Sequence, residues 1–170
     1  MEVMIDIETL DTADTAVVFE VGAVFFKGAK QHRYQWDLVV EQQVRDGRTI
    51  CGDTMAFHFK TNGGVGMLAS ISKPSHCVLS MHKELTELFK THAPTDCWAK
   101  GNFDYPILES LFADLGVPWK FYQLRELRTL MKECDIPKGI VRHTALQDCV
   151  DQIKRLKACR KVIKDGSKRR

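Results

Sequence analysis

Asp6 and Glu8 stand two residues apart in an otherwise apolar opening segment, "VMIDIET", residues 3–9. A strand sends alternate side chains to one face, so these two carboxylates point the same way. Like charges so close repel each other, and burying them unpaired is costly. At the end of a central strand, the pair suits a divalent cation, which takes hard oxygen ligands. Asp104 is a second candidate, in "GNFDYPIL", where a short strand runs into a helix led by Pro106. The same residue suits the bland role of an N-cap equally well. The third candidate is "RHTALQDCV", in which Thr144 and Gln147 fit a capping box. That spacing puts His143 just before the cap and Asp148 on the first full turn. These are the two positions that meet in a hydrophobic staple, so an imidazole and a carboxylate should face one space.

The elements that must position these groups follow from periodicity. Residues 3–8, 16–26 and 32–40 read as three strands joined by short connections, which implies an antiparallel meander. Residues 41–74 are irregular around "NGGVG", with short helices expected at Thr54–Lys60 and Val65–Ser72. Residues 75–92 carry Val78, Met81, Leu85, Leu88 and Phe89 on one helical stripe. A short buried strand is expected at 96–100, a helix at 105–116, a last strand at 119–124, and helices over 125–133 and 145–164. The expected fold is α/β and ribonuclease-H-like: a mixed five-stranded sheet, three antiparallel strands then parallel ones, with helices on both faces.

The 170 residues are enough for one domain with a proper core, expected over 1–165 with a flexible basic tail at 166–170. No apolar run is long enough to span a membrane, and no export-signal layout is present, so a cytoplasmic, intracellular protein is expected. The six cysteines form no C-x-x-C pair and complete no zinc pattern with the histidines; they read as reduced thiols. From Lys154 to Arg170 there are nine Lys/Arg and one acid, a charge of +8, so the remaining 153 residues carry 3 − 8 = −5. A basic end on an acidic body favours an anionic partner such as nucleic acid.

The ordered set D-x-E, F-D before a helix, and H-x-x-x-x-D resembles the DEDDh, DnaQ-like 3′–5′ exonucleases from Asp6 to Asp148. "VGAV", "RELRTL" and "PKG" look most like the phage and bacterial branch around DexA and exonuclease VIII. Leu10 stands where many relatives have glycine, "GNFD" is shorter than in proofreading members, and residues 53–72 do not match that branch. The resemblance implies that Asp6, Glu8, Asp104 and Asp148 hold two Mg²⁺ or Mn²⁺ ions, with His143 as general base. It implies release of nucleoside 5′-monophosphates from the 3′ ends of single-stranded DNA or RNA, and it leaves a homodimer open. Candidate substrate contacts are Thr9, Leu10, Asn102, Phe103, Arg125 and Arg128, with Phe57 and Phe59 as further stacking surfaces and Lys154, Arg155 and Lys157 as a basic path. The alternatives are a silent nucleic-acid-binding protein on the same fold and a proofreading partner of a polymerase.

Overall fold

The computed structural model describes residues 1–61, 63–139 and 142–167. Strand β1 (Glu2–Thr9) lies at the centre of a five-stranded sheet of order β3-β2-β1-β4-β5. Strands β2 (Val18–Lys27) and β3 (Lys30–Asp37) extend it antiparallel on one side. On the other side β4 (Asp96–Ala99) and β5 (Leu124–Glu126) run parallel.

The two faces of β1 are covered by different helices. Val3, Ile5 and Ile7 join one core cluster with residues of α4 (Val78–His92) and α5 (Asp104–Leu111). Met4 joins the other, with α6 (Leu127–Glu133) and α7 (Ala145–Ser167). Asp6 and Glu8 are in phase with Met4 and so project toward α7. The acids therefore sit where a central strand faces the start of a helix, and the apolar residues between them hold the strand down from the opposite side.

Gly22 makes that approach possible. It pairs with Asp6 in the β1–β2 register, and a Cβ added there would stand 2.5 Å from the backbone carbon of Ala145 and the backbone nitrogen of Leu146. Helix α7 thus rests its first turn on bare strand backbone. Gly22→Ala is expected to cost about 1–3 kcal/mol through overpacking, or roughly 5 °C in Tm for a chain of this size. It should also reduce catalysis by displacing the α7 start. A thermal melt checks this, and an unchanged melting temperature would contradict it.

Several elements differ from the sequence expectation: α5 ends at Leu111 rather than 116, and β3 covers Lys30–Asp37 rather than 32–40. The last strand begins at Leu124 rather than 119, because Gln123 closes a 3-10 turn over Phe121–Gln123 by accepting the Lys120 N–H at 2.7 Å. The irregular stretch from 41 holds α1 (Val40–Arg45) before α2 (Gly52–Lys60) and α3 (Gly63–Ser72). Helix α1 is anchored by a buried glutamine: the Gln43 amide accepts from the Val18 N–H at 2.9 Å and donates to the Val18 carbonyl at 2.7 Å. Helix α7 continues to Ser167, into the expected tail; Asn62 of "NGGVG" and Lys168–Arg170 lie outside the described residues.

Candidate active site

Asp6, Glu8 and Asp148 converge so closely that their ligand oxygens all lie within 4.8 Å of one another. Asp104 and His143 line the same cavity, of about 200 Å³, together with Lys100, Arg128 and Gln152. All five residues singled out from the sequence therefore meet in one place, and each is held there by a local device.

Asp104 opens α5 but does not cap it; its Oδ1 instead accepts the Ile7 N–H of β1 at 3.1 Å, tying the helix start to the central strand. Asp148 accepts the backbone N–H groups of Arg142 and His143, both at 3.0 Å. This holds His143 in the left-handed region at φ 55°, a conformation that histidine adopts more readily than most residues. The first free N–H of α7, at Ala145, is satisfied by Glu20 of β2 at 2.7 Å, not by a Thr144 side chain. Glu20 is itself buried, also accepts from Ser70 at 3.3 Å, and lies opposite Glu8 in the β1–β2 register. A carboxylate from a neighbouring strand thus holds the start of α7, which suits the positive end of the helix dipole.

Crowding sets the electrostatics. Burial, then repulsion from Asp104, Glu8 and Asp148, pushes the Asp6 carboxyl well above the usual range. Burial, then the charge of Glu20, raises Glu8 to about 8. Burial raises Asp104 to about 7 against the opposing pull of the Ile7 N–H, Arg128 and Lys100. Burial also lowers the His143 imidazole, which keeps it neutral near pH 7, with Asp148 pulling the other way.

This donor set fits divalent cations. Among the described residues none of the four carboxylates is in a salt bridge. Among the described residues, only Lys100 and Arg128 bring positive charge to the cavity wall, two cations against four acids. Gln152, one turn beyond Asp148, donates to Asp6 Oδ1 at 2.6 Å, while its own buried Oε1 has no hydrogen-bond partner among the described residues. Hard oxygens in excess of their counter-charges are what Mg²⁺, Mn²⁺ or Ca²⁺ take.

A family model of the Rv2179c-like 3′–5′ exoribonuclease domain matches residues 1–160. The chain belongs to that family. It is therefore a 3′–5′ exonuclease, a hydrolase acting on phosphodiester bonds, and nucleic acid is its substrate. No curated protein matches the chain. No helix among the described residues is long and apolar enough to cross a membrane.

The other sequence candidates in this Rv2179c-like domain divide. Thr9, Phe57 and Phe103 line a larger pocket of about 540 Å³ that shares Ile7, Glu8 and Phe103 with the carboxylate cavity. Phe57 also sets its ring 5.1 Å from that of His143, edge to face. Phe59 is exposed and lines neither. Leu10 is 2% exposed and packs with Val17, Phe19 and Met67, so its side chain serves a small core. Asn102 and Arg125 line a separate cleft, and Arg125 is committed to Asp96 at 2.9 Å. Arg128 reaches the cavity because α6 begins at its neighbour Leu127 and turns it back over Gly101. Lys154 pairs with Asp151.

Sequence reasoning missed Lys100, Gln152, Glu20 and His58. His58 is buried under the first pocket, where its Nε2 meets the Thr9 carbonyl at 2.9 Å and its ring lies 6.3 Å from that of His143. Only Gln152 left a signal, since residues four apart on a helix share a face.

Proposed function

We propose that this chain removes nucleoside 5′-monophosphates one at a time from the 3′ end of single-stranded RNA. Asp6, Glu8, Asp104 and Asp148 are the groups that would hold two Mg²⁺ or Mn²⁺ ions, with the Gln152 amide fixing Asp6. The observation that carries this reading is the convergence of four largely uncompensated carboxylates and a neutral histidine in one small cavity.

Bound there, the ions would supply the positive charge that a phosphodiester needs at its attacked and leaving oxygens, and would acidify the attacking water. His143 takes the proton of that water as its oxygen bonds to phosphorus. The bond from phosphorus to the 3′-oxygen of the preceding nucleotide breaks, and that oxygen leaves with a proton from solvent. Asp148 keeps the His143 backbone fixed, so the imidazole meets the water in one orientation. The pocket lined by Thr9, Phe57 and Phe103 receives the terminal nucleoside, whose base stacks on an aromatic ring. RNA is favoured over DNA on the ribonuclease character of the family. The "VGAV", "RELRTL" and "PKG" segments support a place near the DexA and exonuclease VIII branch.

The test is a single assay on oligonucleotides labelled at either end, RNA and DNA, in Mg²⁺, Mn²⁺ and EDTA. A 5′-labelled RNA should shorten as a ladder with either metal, and EDTA should stop it. Shortening from the 5′ end, or undiminished activity in EDTA, would overturn the reading.

A further inference from the structure

The carboxylate cavity has two neighbours. The pocket of Thr9, Phe57 and Phe103 adjoins it through Ile7, Glu8 and Phe103. A second cavity, of about 720 Å³, adjoins it through Lys100 and Arg128, which line both. The two flanking cavities have no lining residue in common, so they are separate openings beside the carboxylates.

Their chemistry differs as well. The larger one is lined by Lys100, Arg128, Lys132 and Lys138 around an apolar floor that includes Ile136, with Asp135 as its acid. Lys132 and Lys138 are exposed and form no salt bridge among the described residues. Arg155 of α7 stands at the edge of this groove. Its guanidinium lies against Gly139, whose φ is 59°, and a Cβ at that glycine would overlap it. The "PKG" turn is therefore shaped to let an arginine lie against it. Like charges gathered along one groove repel unless an anion spans them.

We infer that this groove binds the phosphates of the two or three nucleotides that precede the scissile bond. The proposal rests on the reading of the carboxylate cavity as the hydrolytic centre. A strand whose last nucleoside fills the pocket at Thr9 and Phe57 must leave the carboxylates by another opening, and the basic groove adjoins them through Lys100 and Arg128. The apolar floor at Ile136 and Met131 gives a base a surface on which to rest. The groove makes the enzyme one for oligonucleotides: a dinucleotide has no phosphate to place in it.

The test uses the full chain carrying Lys132→Glu and Lys138→Glu, two exposed positions away from the carboxylates. Hydrolysis of a ten-nucleotide RNA and of a dinucleotide is compared, and binding of the fluorescent ten-mer is measured in EDTA across a salt series. The expected result is a KM for the ten-mer raised about tenfold with kcat unchanged, and a binding slope against log salt reduced by about 1.4, the loss of two contacts on a single strand. Dinucleotide hydrolysis should be unaffected. Gly139→Ala should weaken ten-mer binding in the same direction. An unchanged ten-mer KM and salt slope, or an equal loss on the dinucleotide, would overturn the inference. Because binding in EDTA needs no turnover, a reduced salt slope in a chain that hydrolyses neither substrate would uphold the groove and refute the hydrolytic reading.

Discussion

Asp6→Asn and Asp148→Ala are each expected to reduce nucleotide release about 10³-fold or more, equivalent to about 4 kcal/mol of lost transition-state stabilisation. Each removes one of the three acids whose oxygens lie within 4.8 Å of one another, so each should weaken cation binding as well as turnover. The two variants should part company in stability. Asp6 is held in an unfavourable setting by burial and by three neighbouring acids, so neutralising it relieves repulsion. In EDTA, Asp6→Asn should therefore melt no lower than the parent chain. Asp148→Ala leaves the Arg142 and His143 N–H groups without their acceptor and frees the strained His143 backbone. It should melt lower. His143→Ala should lose about 10²–10⁴-fold in kcat, the usual contribution of a general base, while keeping its affinity for Mn²⁺. Calorimetric titration of Mn²⁺ into the three variants, alongside turnover, separates the roles. Wild-type activity in either acid variant would refute the assignment.

What made these groups legible before the fold was known is that their signals are local. The alternation of β1 puts Asp6 and Glu8 on one face, and five residues of helix start put His143 beside Asp148. The sheet itself was legible for the same reason: Val3, Ile5 and Ile7 alternate with the acids, and the β2 segment is almost wholly apolar. The missed parts depend on contacts across long stretches of chain. Glu20 caps a helix 125 residues away, and Gln152 reaches Asp6 across 146. Nothing local marks Glu20 out, and Gln152 is marked only by its place four residues after Asp148 on α7. Lys100 reads as an ordinary strand-end lysine until Arg128 and the carboxylates surround it.

Leu10 is a different case, a residue whose expected place follows from its neighbours. The pairing of β1 with β2 shifts register between Glu8 and Thr9. Past that irregularity the alternation no longer says which way a side chain points, and Leu10 turns into the small core beside Phe19 and Met67. Arg125 and Arg128 are three residues apart in one segment, yet a strand end separates them, so they serve different surfaces. Periodicity within an element was readable, whereas the phase across a bulge or a boundary was not.

The same crowded acids predict an unusual dependence of stability on pH. A carboxyl whose pKa is higher in the folded than in the unfolded chain keeps its proton on folding where the unfolded chain has lost it. Its contribution is full below the unfolded value and disappears as pH rises through the folded one. The loss therefore starts near the ordinary carboxylate value and ends only as pH passes about 7 for Asp104 and about 8 for Glu8, so its last part falls between pH 6.5 and 8.5. His143 and His92 have lowered pKa values and favour the fold as pH rises, but their effect lies at and below the ordinary histidine range. In EDTA the melting temperature should therefore fall from pH 6.5 to 8.5 by roughly 5 °C, at about 2–4 °C for each kcal/mol lost. Mg²⁺ or Mn²⁺ should reverse the fall, because a cation that binds only the folded, deprotonated site stabilises it by mass action. The rise on adding metal should be larger at pH 8.5 than at 6.5, where protons compete for the same oxygens. Glu8→Gln should flatten both the pH profile and the metal response. A melting temperature in EDTA that is level over this range, and indifferent to metal at pH 8.5, would mean that these carboxylates do not form a cation site.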